Sequence, residues 1–364
     1  MSLFGAAPLT LFRVGESVQS WPIVLGATTT LALVTVSFAL LYTWLVPAPN
    51  WRRAVAASLA TAGTGAGSWL LFAPLVAPQA LGELYIPVAV LGSLSALLAT
   101  LAVRSTGAPL RSAMVFATGW SILVFVPVAI ATFVTGVLGI EPMDHGGSLA
   151  SMVATGAAAL AVLVVRGDRH RSLSAATRLP KGIAAVAVVT LIGGWLGWLV
   201  SAELAIDEIS GTILVNGVLG AAGGIAGWLA VQRMSHQSTT LGAVVAGLVS
   251  GLAAVSAGAP LLSPVAAASS GIIAGGVACI FTLRRVAASR RQQWYLVGSH
   301  LIAGGIGIIL IGLLASDAGF LFTGQITLIE DQIVSTVAVG FYSGLVSLLL
   351  WIGLRRISRL AERP

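Results

Sequence analysis

Runs of about 20 apolar residues recur from one end of the chain to the other, separated by short polar turns. Each run is long enough to cross the roughly 30 Å hydrocarbon core of a bilayer. The pattern predicts eleven helical spans, at about 21–46, 54–77, 84–103, 111–139, 146–165, 183–204, 210–232, 240–257, 264–283, 294–315 and 330–354. The fold class is therefore an all-α integral membrane protein. Glycines recur at small-xxx-small spacing in the seventh span, with Gly220 and Gly224 on one ridge and Gly223 and Gly227 on another. Such ridges let helix backbones approach closely in lipid.

Composition agrees with the pattern. The chain is 57% hydrophobic and 9% charged, with a mean hydropathy of +0.99, whereas a soluble domain carries about 25% charged residues. The net charge of +7 raises the question of nucleic acid, and the distribution of charge answers it. The basic residues fall in alternate turns: Arg52 and Arg53; Arg104 and Arg111; Arg166, Arg169, Arg171, Arg178 and Lys181; Arg233; Arg284, Arg285, Arg290 and Arg291; then Arg355, Arg356, Arg359 and Arg363. Only Arg13 stands apart, and the acids Glu83, Glu141, Asp144, Glu203, Asp207, Glu208, Asp317, Glu330 and Asp331 occupy the other turns. By the positive-inside rule the N-terminus is outside and the C-terminus cytoplasmic. The basic bias is a topology signal, and no nucleic-acid partner is expected. Residues 1–20 hold one Arg and no long apolar core, so a short extracytoplasmic segment without a cleavable signal is expected there.

Spans 1–5 begin outside and spans 6–10 begin inside. This is the layout of an inverted 5+5 repeat with its pathway at the repeat interface. Repeat one covers about 21–165 and repeat two about 183–315; a last helix at 330–354 completes a domain of 21–355, and a short basic tail follows at 356–364. Ionisable groups inside spans are costly, so each is a functional candidate. His300, in "YLVGSHLIAGGIG", is the one histidine well inside a span. Its imidazole suits a site that desolvates a small polar molecule, or a structural bond to a carbonyl. Asp144 opens span 5, either as a cap for broken-helix amides or as a cation attractor. Ser148 and Ser151 share its face, and their hydroxyls either serve the pathway or bond back to the preceding turn. Tyr85, Phe133, Trp195 and Trp198 cluster near the outer ends, as an interfacial belt or a cation-binding vestibule. No catalytic pair, metal cluster or phosphate loop is present in the sequence, so no enzyme activity, metal or cofactor is expected. A single Cys, Cys279, excludes an internal disulfide.

Four segments resemble the ammonium transporter (Amt/Mep/Rh) family, in the family's order and over essentially the whole chain. "MDHGGSLASMVATGAAALAVLVV" resembles the family's Asp-Phe-Ala-Gly-Gly-Thr-Val-Val-His motif and the Gly-Ala-Ala-Leu run after it. "GGWLGWLVSA" resembles its Gly-Trp-Phe-Gly-Phe-Asn segment, "LGAVVAGLVSGLAAVSAGAPLLSPVAAASSGIIAGGVACI" its Gly-rich Ser-Pro region, and "GSHLIAGGIGIILIGLLA" its Val-His-Gly-Val-Gly-Gly segment. The resemblance implies a homotrimer with a narrow pore in each subunit, an outer aromatic vestibule and two pore histidines. Asp144 then matches the structural aspartate and His300 the second histidine. The first histidine falls on Ser151 once a one-residue deletion after Asp144 is allowed. The vestibule tryptophan falls on Phe133, one gate ring on Trp198, the vestibule serine near Ala202, and the family's Asn on Leu199. The other gate ring is missing, since residues 84–103 hold only Tyr85 among the aromatics. The tail after Arg355 is short for the segment through which a PII-type regulator acts on many members. The implied function is passage of ammonium, ammonia or another small polar solute across an inner membrane. The alternative is a degenerate, non-conducting paralogue that senses ammonium or serves as a membrane scaffold.

Overall fold

The computed structural model describes residues 21–77, 82–166, 179–285 and 291–361. The expected N-terminal segment 1–20, the loop arginines Arg169, Arg171, Arg178 and Arg290, and tail residues 362–364 lie outside them. Among the described residues nine helices are long and apolar enough to cross a membrane, and two shorter apolar helices bring the total to eleven. They are α1 (Trp21–Leu41), α2 (Trp51–Val76), α3 (Gly82–Ser105), α4 (Leu110–Thr135), α5 (Leu149–Val165), α6 (Lys181–Ser201), α7 (Glu208–Met234), α8 (Leu241–Ser256), α9 (Pro264–Leu283), α10 (Gln293–Leu314) and α11 (Thr327–Ile357). Side-chain caps start several of them. Asn50 accepts the Arg53 amide before α2, Asp207 and Ser210 form a capping box before α7, and Thr240 accepts the Ala243 amide before α8.

The two halves repeat one packing scheme. In the first, α2 packs on α3 and α4, and α3 packs on α5. In the second, α7 packs on α8 and α9, and α8 packs on α10. Helices α1 and α6 meet across the boundary between halves, and α11 lies against α4, α5 and α10. The Gly220/Gly224 ridge of α7 meets both α8 and α9, and the Gly223/Gly227 ridge meets α9. A Cβ at Gly224 would collide with the backbone of Gly247 and Gly251 on α8, and one at Gly227 with the Ile272 carbonyl on α9.

Two departures from regular helix matter for the site. Helix α8 has 16 residues, about 24 Å at 1.5 Å per residue, which is less than the hydrocarbon thickness. Both α8 and the start of α5 end in unwound chain, at 257–262 and 143–147. Their ends bond to each other: the His145 amide donates to the Ala257 carbonyl and the Gly146 amide to the Ser256 carbonyl, both at 3.0 Å. The second departure is a wide π turn at Leu149–Val153 in α5 and another at Val297–Ile302 in α10, the corresponding helices of the two halves. Such turns re-aim side chains and cluster at functional sites. These two carry Ser151 and His300.

The glycine contact gives a direct test. Gly224→Ala should destabilise the detergent-solubilised protein by about 1–3 kcal/mol through overpacking against backbone. Gly193→Ala, whose added methyl meets open space, should be neutral or stabilising by up to about 1 kcal/mol. Paired thermal melts check both.

Candidate functional site

The start of α5 is held from four directions. Both Asp144 carboxylate oxygens accept backbone amides at 2.7 Å, Oδ1 from Ser148 and Oδ2 from Leu149. A carboxylate there also complements the positive end of the helix dipole. The Gln332 amide on α11 donates to the Met143 carbonyl at 2.8 Å. The His145 ring nitrogen Nε2 donates to the Leu199 carbonyl at the end of α6, at 2.7 Å. Trp198 donates its indole N–H to the Gly146 carbonyl at 3.1 Å. Two glycines fit this crowded chain. Gly147 sits at φ +70°, and a Cβ at Gly146 would meet the Ser256 carbonyl oxygen at 2.8 Å.

Beneath this mouth lies a small internal cavity. Room for the centre of a water-sized sphere amounts to about 10 Å³, roughly the space of one small molecule. Leu31, Val34, Leu91 and Leu94 line it together with Gly146, Ser148, Ser151, Met152, Trp195, Trp198 and Ser256. Each polar hydrogen among these side chains is already used. Ser148 donates to the Ala253 carbonyl at 3.3 Å, Ser151 to Gly147 at 2.7 Å, and Ser256 to Leu252 at 2.6 Å. Trp195 donates to the Ser256 hydroxyl oxygen at 2.8 Å, and Trp198 to Gly146. The wall therefore offers oxygen lone pairs and indole rings, and its donors point away.

His300 lies one layer deeper. It is buried and stands behind Met152 rather than in the cavity wall. Its Nδ1 is 3.1 Å from the Met152 sulfur and its Nε2 is 3.5 Å from the Tyr42 hydroxyl. The Phe38 ring packs at 5.8 Å between centroids. Helices α5 and α10 approach closely here, because Gly156 lies directly against Leu301.

The structure thus brings together Asp144, Ser148, Ser151, Trp195 and Trp198, with His300 behind them. Ser151, on which the resemblance places the first histidine, lines the cavity and donates to the Gly147 carbonyl, and its neighbour Met152 is the α5 residue against His300. Three expected vestibule residues stand apart from the cavity. Tyr85 packs on Trp69 and donates to the Leu70 carbonyl of α2. Phe133 lies against Gly147 on the far side of the mouth. Ala202 is buried one turn past Trp198, its amide bonded to the Trp198 carbonyl. Beyond it Glu203 occupies the turn before α7, where burial first and the charge of Asp207 second push its carboxyl above the ordinary value. Met152, Ser256, Tyr42, Phe38 and Gln332 were not singled out by sequence. Only the proximity of Met152 to Ser151 gave a hint. Among the described residues no three of His, Cys, Asp and Glu gather as a metal site.

Comparison with known proteins follows the same line. A family model described as Ammonium Transporter Family matches residues 88–362. The ammonium transporter of Bacillus subtilis is 29% identical over 253 residues, covering 65% of this chain and 60% of that protein. A putative ammonium transporter of Methanothermobacter thermautotrophicus is 28% identical over 241 residues, covering 64% and 58%. The chain thus matches about three-fifths of the length of these relatives. Among solved structures, Saccharomyces cerevisiae Mep2 superposes with a TM-score of 0.79 at 17% identity, covering 95% of this chain and 90% of Mep2. A structure described as a sensor Amt protein gives 0.76 at 16% identity, covering 93% and 94%. At these identities the structural likeness establishes the fold.

The mouth generates a stability prediction. Asp144→Ala strands two buried amides, at about 1–3 kcal/mol each, and should lower the melting temperature and the yield of folded protein. Asp144→Asn keeps one carbonyl acceptor and should lose about half as much. Equal stability of wild type and Asp144→Ala in thermal melts would show that the carboxylate does not hold the helix.

Proposed function

The chain belongs to the ammonium transporter family, and we propose that it passes ammonium or ammonia through the cavity between its two halves, one pathway per subunit. One observation carries this reading: the polar wall of the cavity is made of acceptors, with its own hydrogens turned elsewhere. A small solute rich in N–H donors is favoured in such a space, and the faces of Trp195 and Trp198 add attraction for a cation. Anions, which need donors, are disfavoured by the same wall. The apolar lining residues strip water from the solute and leave the serine oxygens as its partners. Ser148, Ser151 and Ser256 supply these oxygens, Trp195 and Trp198 orient the upper wall, and Asp144 keeps the entrance in shape.

The protein is a multi-pass membrane protein. Within the same reading it sits in the inner membrane as a homotrimer, N-terminal side outside. The alternation of arginine-rich and acidic turns supports the orientation, and the family resemblance supports the trimer.

The test is an ammonium pulse on proteoliposomes carrying an internal pH dye, with empty liposomes alongside. Wild type should alkalinise the lumen faster than the lipid alone. Ser256→Ala removes one lone-pair donor and leaves the Trp195 N–H aimed at the cavity. One hydrogen bond to a charged group is worth about 1.5–3 kcal/mol, so the response should fall by about tenfold or more. A wild-type pH response equal to that of empty liposomes, together with no saturable ammonium current on a solid-supported membrane, would sink the conducting reading.

A further inference from the structure

His300 and Met152 bring an imidazole nitrogen and a thioether sulfur face to face. Nδ1 and the sulfur stand 3.1 Å apart, one on α10 and the other on α5, and both residues are buried. A thioether beside an imidazole is a donor pair for a soft ion such as Cu(I). The number of donors narrows the choice. Among the described residues no three of His, Cys, Asp and Glu gather, so a divalent ion that asks for four ligands finds too few. A soft monovalent ion is satisfied by two donors in line.

The surroundings accommodate such an ion. Bonds of about 2.0 Å to nitrogen and about 2.3 Å to sulfur set the two donors about 4.3 Å apart when the ion lies in line between them. The sulfur then has to retreat by about 1 Å, which an unbranched, flexible side chain does readily. Met152 lines the cavity, so it has space to move into. With the ion on Nδ1 the ring hydrogen lies on Nε2, and no proton is released. The Tyr42 hydroxyl oxygen, 3.5 Å from Nε2, can accept that hydrogen. Tyr42 has the Ser299 hydroxyl beside it for its own hydrogen, and Ser299 donates to the Tyr295 carbonyl at 2.6 Å. A hydrogen bond of this kind on the far nitrogen orients a ligating imidazole.

We propose that Met152 and His300 bind one soft monovalent cation, Cu(I) or Ag(I), between the two halves of the fold. The ion reaches the pair through the cavity, whose hydroxyl oxygens and indole faces attract a cation. Bound there, it ties α5 to α10 and obstructs the pathway beneath the cavity. The obstruction rests on the ammonium reading; the binding does not.

Silver(I) is the probe, because it needs no reductant. The parent protein carries Cys279→Ala, which removes the buried thiol, and the buffer is nitrate without chloride. Calorimetry in detergent should give one saturable site per chain. Met152→Leu, which nearly conserves volume, and His300→Gln should each weaken it by more than about 100-fold, and Tyr42→Phe by about tenfold. X-ray absorption should find one sulfur and one nitrogen on the ion. No saturable site in the parent, or equal affinity in Met152→Leu, overturns the proposal. In proteoliposomes with the internal pH dye, silver should suppress the ammonium response with a midpoint that matches the calorimetric affinity. A response unchanged at saturating silver overturns the obstruction. No pH response and no ammonium current before silver is added would overturn the ammonium reading, with the binding result still standing.

Discussion

Lipid offers a peptide group no hydrogen-bond partner, so a chain that stops its helices short has to satisfy the exposed backbone from within. Here α5 and α8 both stop short, and each supplies what the other lacks. The amides of His145 and Gly146 find the carbonyls of Ala257 and Ser256; Asp144 takes the first amides of α5; Trp198 takes the Gly146 carbonyl. The site follows from this reciprocity. Trp198 stands at the cavity because its indole is needed by the backbone, and Ser256 stands there because α8 ends against the mouth of α5.

The same requirement explains the polarity of the cavity. A hydroxyl or indole hydrogen in an apolar interior must reach an acceptor, and the nearest ones are carbonyls behind the wall. Once those bonds form, each serine oxygen retains acceptor capacity, and all three serines line the cavity. An environment selective for donors thus arises from neutral side chains, without the carboxylate that a cation site in water would use. The acid at the mouth, Asp144, is committed to amides.

The architecture was readable in the sequence because length and apolarity are sufficient signals for a spanning helix. The eleven expected spans match eleven apolar helices among the described residues, and the Gly220/Gly224 and Gly223/Gly227 ridges make the close backbone contacts that their spacing allows. The mouth was readable in part. The capping option for Asp144 matches the observed bonds, whereas the predicted span at 146 begins three residues before α5 does, since glycine and serine in an apolar run do not announce unwound chain. The innermost layer was not readable. Tyr42 reaches His300 across 258 positions of sequence, Trp195 meets Ser256 across 61, and neither pair has a local signature. The contact of Met152 with His300 was hidden for a different reason: a helical wheel assumes 3.6 residues per turn, and α5 abandons that period at Leu149–Val153.

That wide turn makes register a chemical variable. One residue corresponds to about 100° of helix rotation. Losing a single residue from Leu149–Val153, and with it the π turn, would swing the wall of α5 by that angle relative to the capped mouth above. A different side chain would then be offered to the imidazole with no change in the residues beyond. The identity of the group opposite His300 is thus set by a count of residues as much as by their kind. Insertion or deletion at this one turn is a short route between pores of different chemistry on an unchanged scaffold.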